Sequence, residues 1–233
     1  MCASRRCCME CMSLSEAMLN RKSIRGFTSD SVPKEALARI IELAIQSPSA
    51  SNAQPWHLAV LAGDPLAELN RRAVALREAG APINPDVAPA DLFGDYLRRR
   101  REVGIQVFKL LGIERHDMAG REAWNRKALR FFDAPVGIFI YTDGTLERAR
   151  TDFDLGLLTE ALCLAAMCIG LGTCIDQQAL CYPELIREIT GIPEAARLTA
   201  AVAMGYPDWT FPANQLDSTR ESLETVTSWH GFD

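Results

Sequence analysis

Arg21-Lys22-Ser23-Ile24-Arg25 places three cations and a hydroxyl within five residues. Further on, Ser47-Pro48-Ser49-Ala50-Ser51-Asn52-Ala53-Gln54-Pro55-Trp56 is a loop of small polar residues and prolines that leads into an apolar run. A single predicted helix joins the two, so their far ends can converge. Arginine suits phosphate because its planar fork holds two oxygens at once, and Asn52 can donate and accept together. A cationic clamp facing small amides and hydroxyls fits a ligand with a phosphate at one end and a flat, hydrogen-bonding ring at the other. Flavin mononucleotide (FMN) has that form.

These two stretches, together with Gly170-Leu171-Gly172-Thr173-Cys174, Gly205-Tyr206-Pro207-Asp208, Asn214 and Arg220-Glu221-Ser222-Leu223-Glu224, resemble the FMN-dependent nitroreductase family in order and spacing. The resemblance runs from about residue 13 to the C-terminus. It implies an α+β fold: a nitroreductase-like three-layer α/β/α sandwich, with a central, mostly antiparallel sheet flanked by helices, in an intertwined homodimer. It further implies that Arg21, Ser23 and the distant Arg220 hold the FMN phosphate. Arg25 takes the position beside the ring's N1 and C2 carbonyl, where a fixed cation stabilises the negative charge that accompanies reduction. Lys22 adds its backbone or stem, or exchanges places with Arg25.

The Pro-Ser-x-x-Asn loop (Pro48, Ser49, Ala50 and Asn52) is expected from the neighbouring subunit, reaching the ring's other polar edge and the ribityl chain. A backbone N–H of Gln177 or Gln178 is expected at the flavin N5. The chain reads Asp176-Gln177-Gln178 where many relatives carry a glycine, and losing a glycine restricts the backbone. No side chain is assigned as a catalytic acid. The implied activity is hydride transfer from NADH or NADPH to a small aromatic nitro acceptor, by ping-pong kinetics, through nitroso to hydroxylamino products. The same fold also serves quinone or enone reduction, dehalogenation and oxygen-dependent flavin breakdown. A different reading is a flavin- or metal-binding sensor that uses the N-terminal cysteines.

The positioning elements follow from periodicity. Ser13 caps a helix to about residue 21, Pro33 opens an amphipathic helix through Ile45, and Trp56–Leu61 reads as a short buried strand. Gly63-Asp64-Pro65 turns into a helix reaching Glu78, and Pro82, Pro85 and Pro89 mark a loop. Helices from Asp91 to Leu111 and Asp117 to Phe132 make residues 82–132 a helical insertion over the site. Strands at 134–141, 173–176 and 198–204 alternate with helices at 146–169 and 183–190. Residues 208–233 have little periodicity and are expected to embrace the partner subunit.

At 233 residues, 48% hydrophobic and 24% charged, the chain suits one globular domain, 13–233, behind a Cys-rich leader, 1–12, expected to be disordered. The net charge of −5 gives no general attraction to nucleic acid or anionic membrane. Without a secretory signal or a spanning segment, the expected setting is cytoplasmic.

Cys163, Cys168, Cys174 and Cys181 sit in apolar surroundings and read as buried, reduced hydrophobes. Cys7, Cys8 and Cys11 have the spacing of half a zinc site but lack a second ligand pair, and His57, His116 and His230 are too scattered to supply one. No metal is expected. There is no nucleophile elbow and no phosphate loop of the Walker type. Gly170-Leu171-Gly172 lacks the third glycine of a dinucleotide fingerprint and follows a helix. In the Arg98–Arg101 run at least two of the four must be solvated, leaving one or two for an anionic substrate or nucleotide phosphate. Tyr96, Trp124 and Phe131 are candidates for the pocket ceiling or for core packing.

Overall fold

The computed structural model describes residues 12–232, which form one four-stranded sheet with helices on both faces. The strands are β1 (His57–Ala62), β2 (Val136–Asp143), β3 (Gly172–Ile175) and β4 (Ala196–Gly205), ordered β1-β2-β4-β3 with every pairing antiparallel. Alternation along β2 sends Val136, Ile138 and Ile140 to one face and Phe139 to the other, as the pleat requires. β4 keeps the same rule until a bulge: Ile140 pairs with Ala200 but Tyr141 pairs with Leu198, so Thr199 is the extra residue. The bulge lets Leu198 share a face with Ala201 and Ala203.

On one face lie α3 (Gly63–Glu78), α5 (Met118–Leu129) and α7 (Pro183–Thr190), which pack Leu66, Leu69, Leu129, Leu185 and Ile186 around Phe139. On the other lie α2 (Lys34–Ala44) and α6 (Arg148–Met167), contributing Leu37, Ile40, Leu155, Leu158 and Leu162. The expected α/β/α sandwich is therefore present in a single chain. α1 (Leu14–Asn20) has the predicted Ser13 cap, closed into a capping box by Glu16. α4 (Gly94–Leu110) lies farther out, with Val107 as its buried residue. Among its described residues the tail carries a 3-10 turn (Pro212–Gln215) and a short α-helix, α8 (Leu223–Val226).

Some expectations change. β1 is an edge strand with Leu61 its buried residue, because it pairs on one side with β2 and leaves the other open. His57 is exposed there and stacks on Tyr141 at 5.3 Å, a structural contact. Leu14, Met18 and Leu19 of α1 face outward, and Ala17 is its buried residue. Cys163 and Cys174 are buried, whereas Cys168 and Cys181 are half-buried. Cys2, Cys7, Cys8 and Cys11, and with them residues 1–11 of the leader and the zinc and sensor readings, lie outside the described residues. Among the described residues no helix is long and apolar enough to cross a membrane.

Candidate functional site

The cationic strip leaves α1 at Arg21 in extended form and runs beside β3. Ser23 bridges Thr173 in parallel, and Ile24 donates its N–H to the Thr173 carbonyl at 2.9 Å. This close approach needs Gly172, where a Cβ would stand 2.6 Å from the Ile24 side chain. Gly26 is required in the same way, with the Phe211 ring filling the space of a side chain. Asn214 then ties the strip down. Fully buried, it accepts the Arg25 N–H at 2.7 Å and donates to the carbonyls of Gly26 (2.7 Å) and Asp208 (2.8 Å). Such a fully satisfied buried amide fixes the backbone on either side of it.

Arg21, Lys22 and Arg220 converge on one cleft of about 380 Å3, with Asn20, Asp217 and Ser218 in its walls. Each cation has a local partner. Arg21 Nε lies 3.3 Å from Glu160 Oε1, Lys22 pairs with Asp217, and Arg220 donates to the Ser218 hydroxyl at 2.9 Å. An anion entering here meets three positive groups, with Asp217 in the cleft wall and Glu160 beside Arg21 as the exposed carboxylates.

Ser23, Arg25 and Asp176 gather around the end of β3. Asp176 is buried; its Oδ1 accepts the Gln178 N–H at 3.0 Å, while Oδ2 has no partner among the described residues. Burial pushes the Asp176 carboxyl up to about 7, opposed by the Gln178 and Ala179 N–H donors and the nearby Arg25 charge. The Gln178 N–H is thus committed to Asp176. The Gln177 N–H has no partner among the described residues, and this turn forms part of a cavity of about 690 Å3 beneath the helical insertion.

Pro48, Ser49, Ala50 and Asn52 stand elsewhere. They form a tight loop with left-handed φ at Ser51 (52°), Asn52 (57°) and Gln54 (49°), values that non-glycine residues hold at a cost and that cluster at functional sites. Besides its own backbone turns, the loop is held by Gln54 N–H to Ser49 Oγ at 2.9 Å and by Ala50 N–H to the buried Asp154 of α6 at 3.1 Å. The Asn52 side chain is exposed. Within one chain this loop borders a groove with Ala149, Arg150 and Phe153 and shares no residue with the Arg21–Arg220 cleft.

Glu160 and Asp154, which aim Arg21 and the loop, carried no signal in the sequence. Asn214 was visible within the family resemblance but not as a brace for Arg25. Of the aromatic candidates, Trp124 packs on Phe132 and Phe131 on Phe139 in the core, while Tyr96 is exposed beside Phe93.

A family profile described as "Nitroreductase family" matches residues 18–206. The chain is 29% identical to the 4-nitrobenzoate reductase of Pseudomonas putida, over 92% of this chain and 94% of that one. It is 30% identical to the chloronitrobenzene nitroreductase of Comamonas testosteroni, over 93% and 96%. It superposes on the FMN- and NADPH-dependent nitroreductase NfnB from sphigopyxis sp. strain HMH with a TM-score of 0.88 at 32% identity, covering 94% of this chain and all of the other.

Proposed function

The chain belongs to the nitroreductase family, and on that footing we propose that it is an FMN-dependent oxidoreductase passing hydride from NAD(P)H to a nitroaromatic acceptor. The observation that supports this most is the meeting of Arg21, Lys22 and Arg220, from opposite ends of the chain, at one cleft. A flavin phosphate placed there gains charge-assisted bonds from all three, and Lys22 exchanges Asp217 for the ligand. When bound, FMN would supply the two-electron chemistry; each round consumes one NAD(P)H and one proton, the first taking the nitro group to nitroso with loss of water and the second adding two hydrogens to give the hydroxylamine.

The remaining residues bind and orient. Arg25, its backbone fixed by Asn214, is assigned to the N1 and C2 carbonyl edge. Gln177 offers its unspent N–H to N5, the Asp176 bond to Gln178 holding that turn in shape. Pro48, Ser49, Ala50 and Asn52 are assigned to the ribityl chain and ring of a site in a second copy, because within one chain they sit in a different groove.

A homodimer also gives the exposed apolar side chains somewhere to go. Leu19 on α1 is 85% exposed, and Leu223, Val226, Trp229 and Phe232 of the tail are exposed as well. Exposed apolar surface of this extent marks an interaction face. The test is direct. Purified protein should be a yellow dimer that bleaches with NAD(P)H under anaerobic conditions and regains colour on adding a nitroarene. A colourless monomer that still reduces nitroarenes overturns the reading.

A further inference from the structure

The cavity above the Gln177–Gln178 turn has a chemistry of its own. Its walls include Ile83, Pro85 and Leu92, and two arginines, Arg77 and Arg100, face it without any lining carboxylate. At about 690 Å3 it has the size of a small-molecule site, roughly 300–1,000 Å3.

The two arginines differ in what already holds them. Arg77 is gripped by Glu122 through two bonds of 3.1 and 3.0 Å. Along α4, Arg98 lies between Asp95 and Glu102, and Arg99 pairs with Glu221 and sits over the Tyr96 ring. Arg100 has no carboxylate or ring partner among the described residues, and it is the one of the four in the run that lines the cavity. Arg100 is exposed, so it stands at the cavity rim as an uncompensated guanidinium, open to an anion arriving from solvent.

We propose that this cavity takes an acceptor of a stated class, a nitroarene bearing a carboxylate, with Arg100 holding the carboxylate. The inference rests on the nitroarene reading above. The arene lies along Ile83, Pro85 and Leu92, its charged end at α4 and its nitro end toward the Gln177 turn. A carboxylate suits the planar guanidinium fork, which can bond both oxygens. Names of relatives do not make this choice, since they cover both a charged and an uncharged nitroarene.

The experiment uses holoenzyme with 4-nitrobenzoate and its methyl ester, which share a ring and differ in charge. Wild type, Arg100→Gln and Arg101→Gln are compared, the last altering a neighbouring arginine that does not line the cavity. Expected is a loss of about tenfold in kcat/KM for the acid in Arg100→Gln, carried by KM. The ester, the KM for NADPH and the Arg101→Gln variant should stay unchanged. Benzoate, which cannot be reduced, should perturb the flavin absorbance of wild type and bind Arg100→Gln about tenfold more weakly.

Equal losses on acid and ester would overturn the proposal, and so would a raised KM for NADPH, which would give Arg100 to the nucleotide phosphate. If neither nitroarene is reduced while benzoate binding still depends on Arg100, the nitroarene function falls and the carboxylate site stands. Reduction of both with no dependence on Arg100 sinks the carboxylate site alone.

Discussion

Gln178 donates its backbone N–H to Asp176 Oδ1 at 3.0 Å, at the turn where β3 leaves the sheet. The carboxyl that makes this bond is buried and pushed up to about 7. An unfolded aspartate titrates near about 4, so between about pH 4 and pH 7 the folded chain keeps a proton that the unfolded chain has released. Stability therefore falls as pH rises through that window. Asp176→Asn preserves an acceptor for Gln178 and removes the titration. Thermal unfolding from about pH 5 to pH 8 should show the wild-type midpoint dropping relative to the variant. Parallel profiles would mean that Asp176 does not titrate in this range.

The buried Asn214 side chain bonds three backbone groups, at Arg25, Gly26 and Asp208, drawing two distant segments together. Asn214→Ala leaves the Arg25 N–H without its partner, whereas the Gly26 and Asp208 carbonyls keep the N–H groups of Asp208 and Phe211, and one orphaned buried group costs about 1–3 kcal/mol. Urea unfolding should show a loss of about 1–3 kcal/mol. Flavin content should fall as well, because Arg25 loses its backbone anchor. A variant of unchanged stability would show that water replaces the amide.

Arg220 is exposed and held by its own neighbours Ser218 and Thr219, so its removal should cost little stability. Arg220→Ala should instead weaken FMN about tenfold or more, read from the fluorescence of released flavin. Glu160→Gln tests the opposite lever. It frees Arg21 from a half-exposed pair worth less than about 1 kcal/mol, so FMN affinity should hold or rise. Tighter binding in Arg220→Ala would remove the phosphate from this cleft.

A site shared between two chains makes a complementation prediction. Asn52→Ala and Arg220→Ala homodimers should both be impaired. In a mixed dimer, one site combines the intact Asn52 of one chain with the intact Arg220 of the other, and its partner site carries both lesions. Co-refolded mixtures should recover activity that neither parent has. No recovery in verified mixed dimers would mean that each site is built within one chain.

Much of the architecture was legible in local pattern. The Ser13 cap of α1, the proline that opens α2 and the apolar stripe of α6 report short-range physics, and these elements, with β2, β4 and α7, appear close to where the sequence put them. The cationic strip, the asparagine loop and the distant arginine were visible as residue types in order. What stayed hidden depended on partners far along the chain. β1 looked buried because its residues are apolar, yet its exposure is decided by which strand lies on its open side. The bulge at Thr199 changes which β4 side chains face α3 and cannot be seen without the register against β2.

The amino-acid sequence alone determined the family, the order of elements and the residues available to meet a phosphate and a flat ring, because these follow from side-chain chemistry and spacing. The tertiary structure decided which of them meet. It gathered Arg21, Lys22 and Arg220 at one cleft, set the Pro48–Asn52 loop in another, spent the Gln178 N–H on Asp176 and left Arg100 unpaired above the turn. Those outcomes rest on long-range geometry, in which a neighbour from a distant segment either satisfies a polar group or leaves it available.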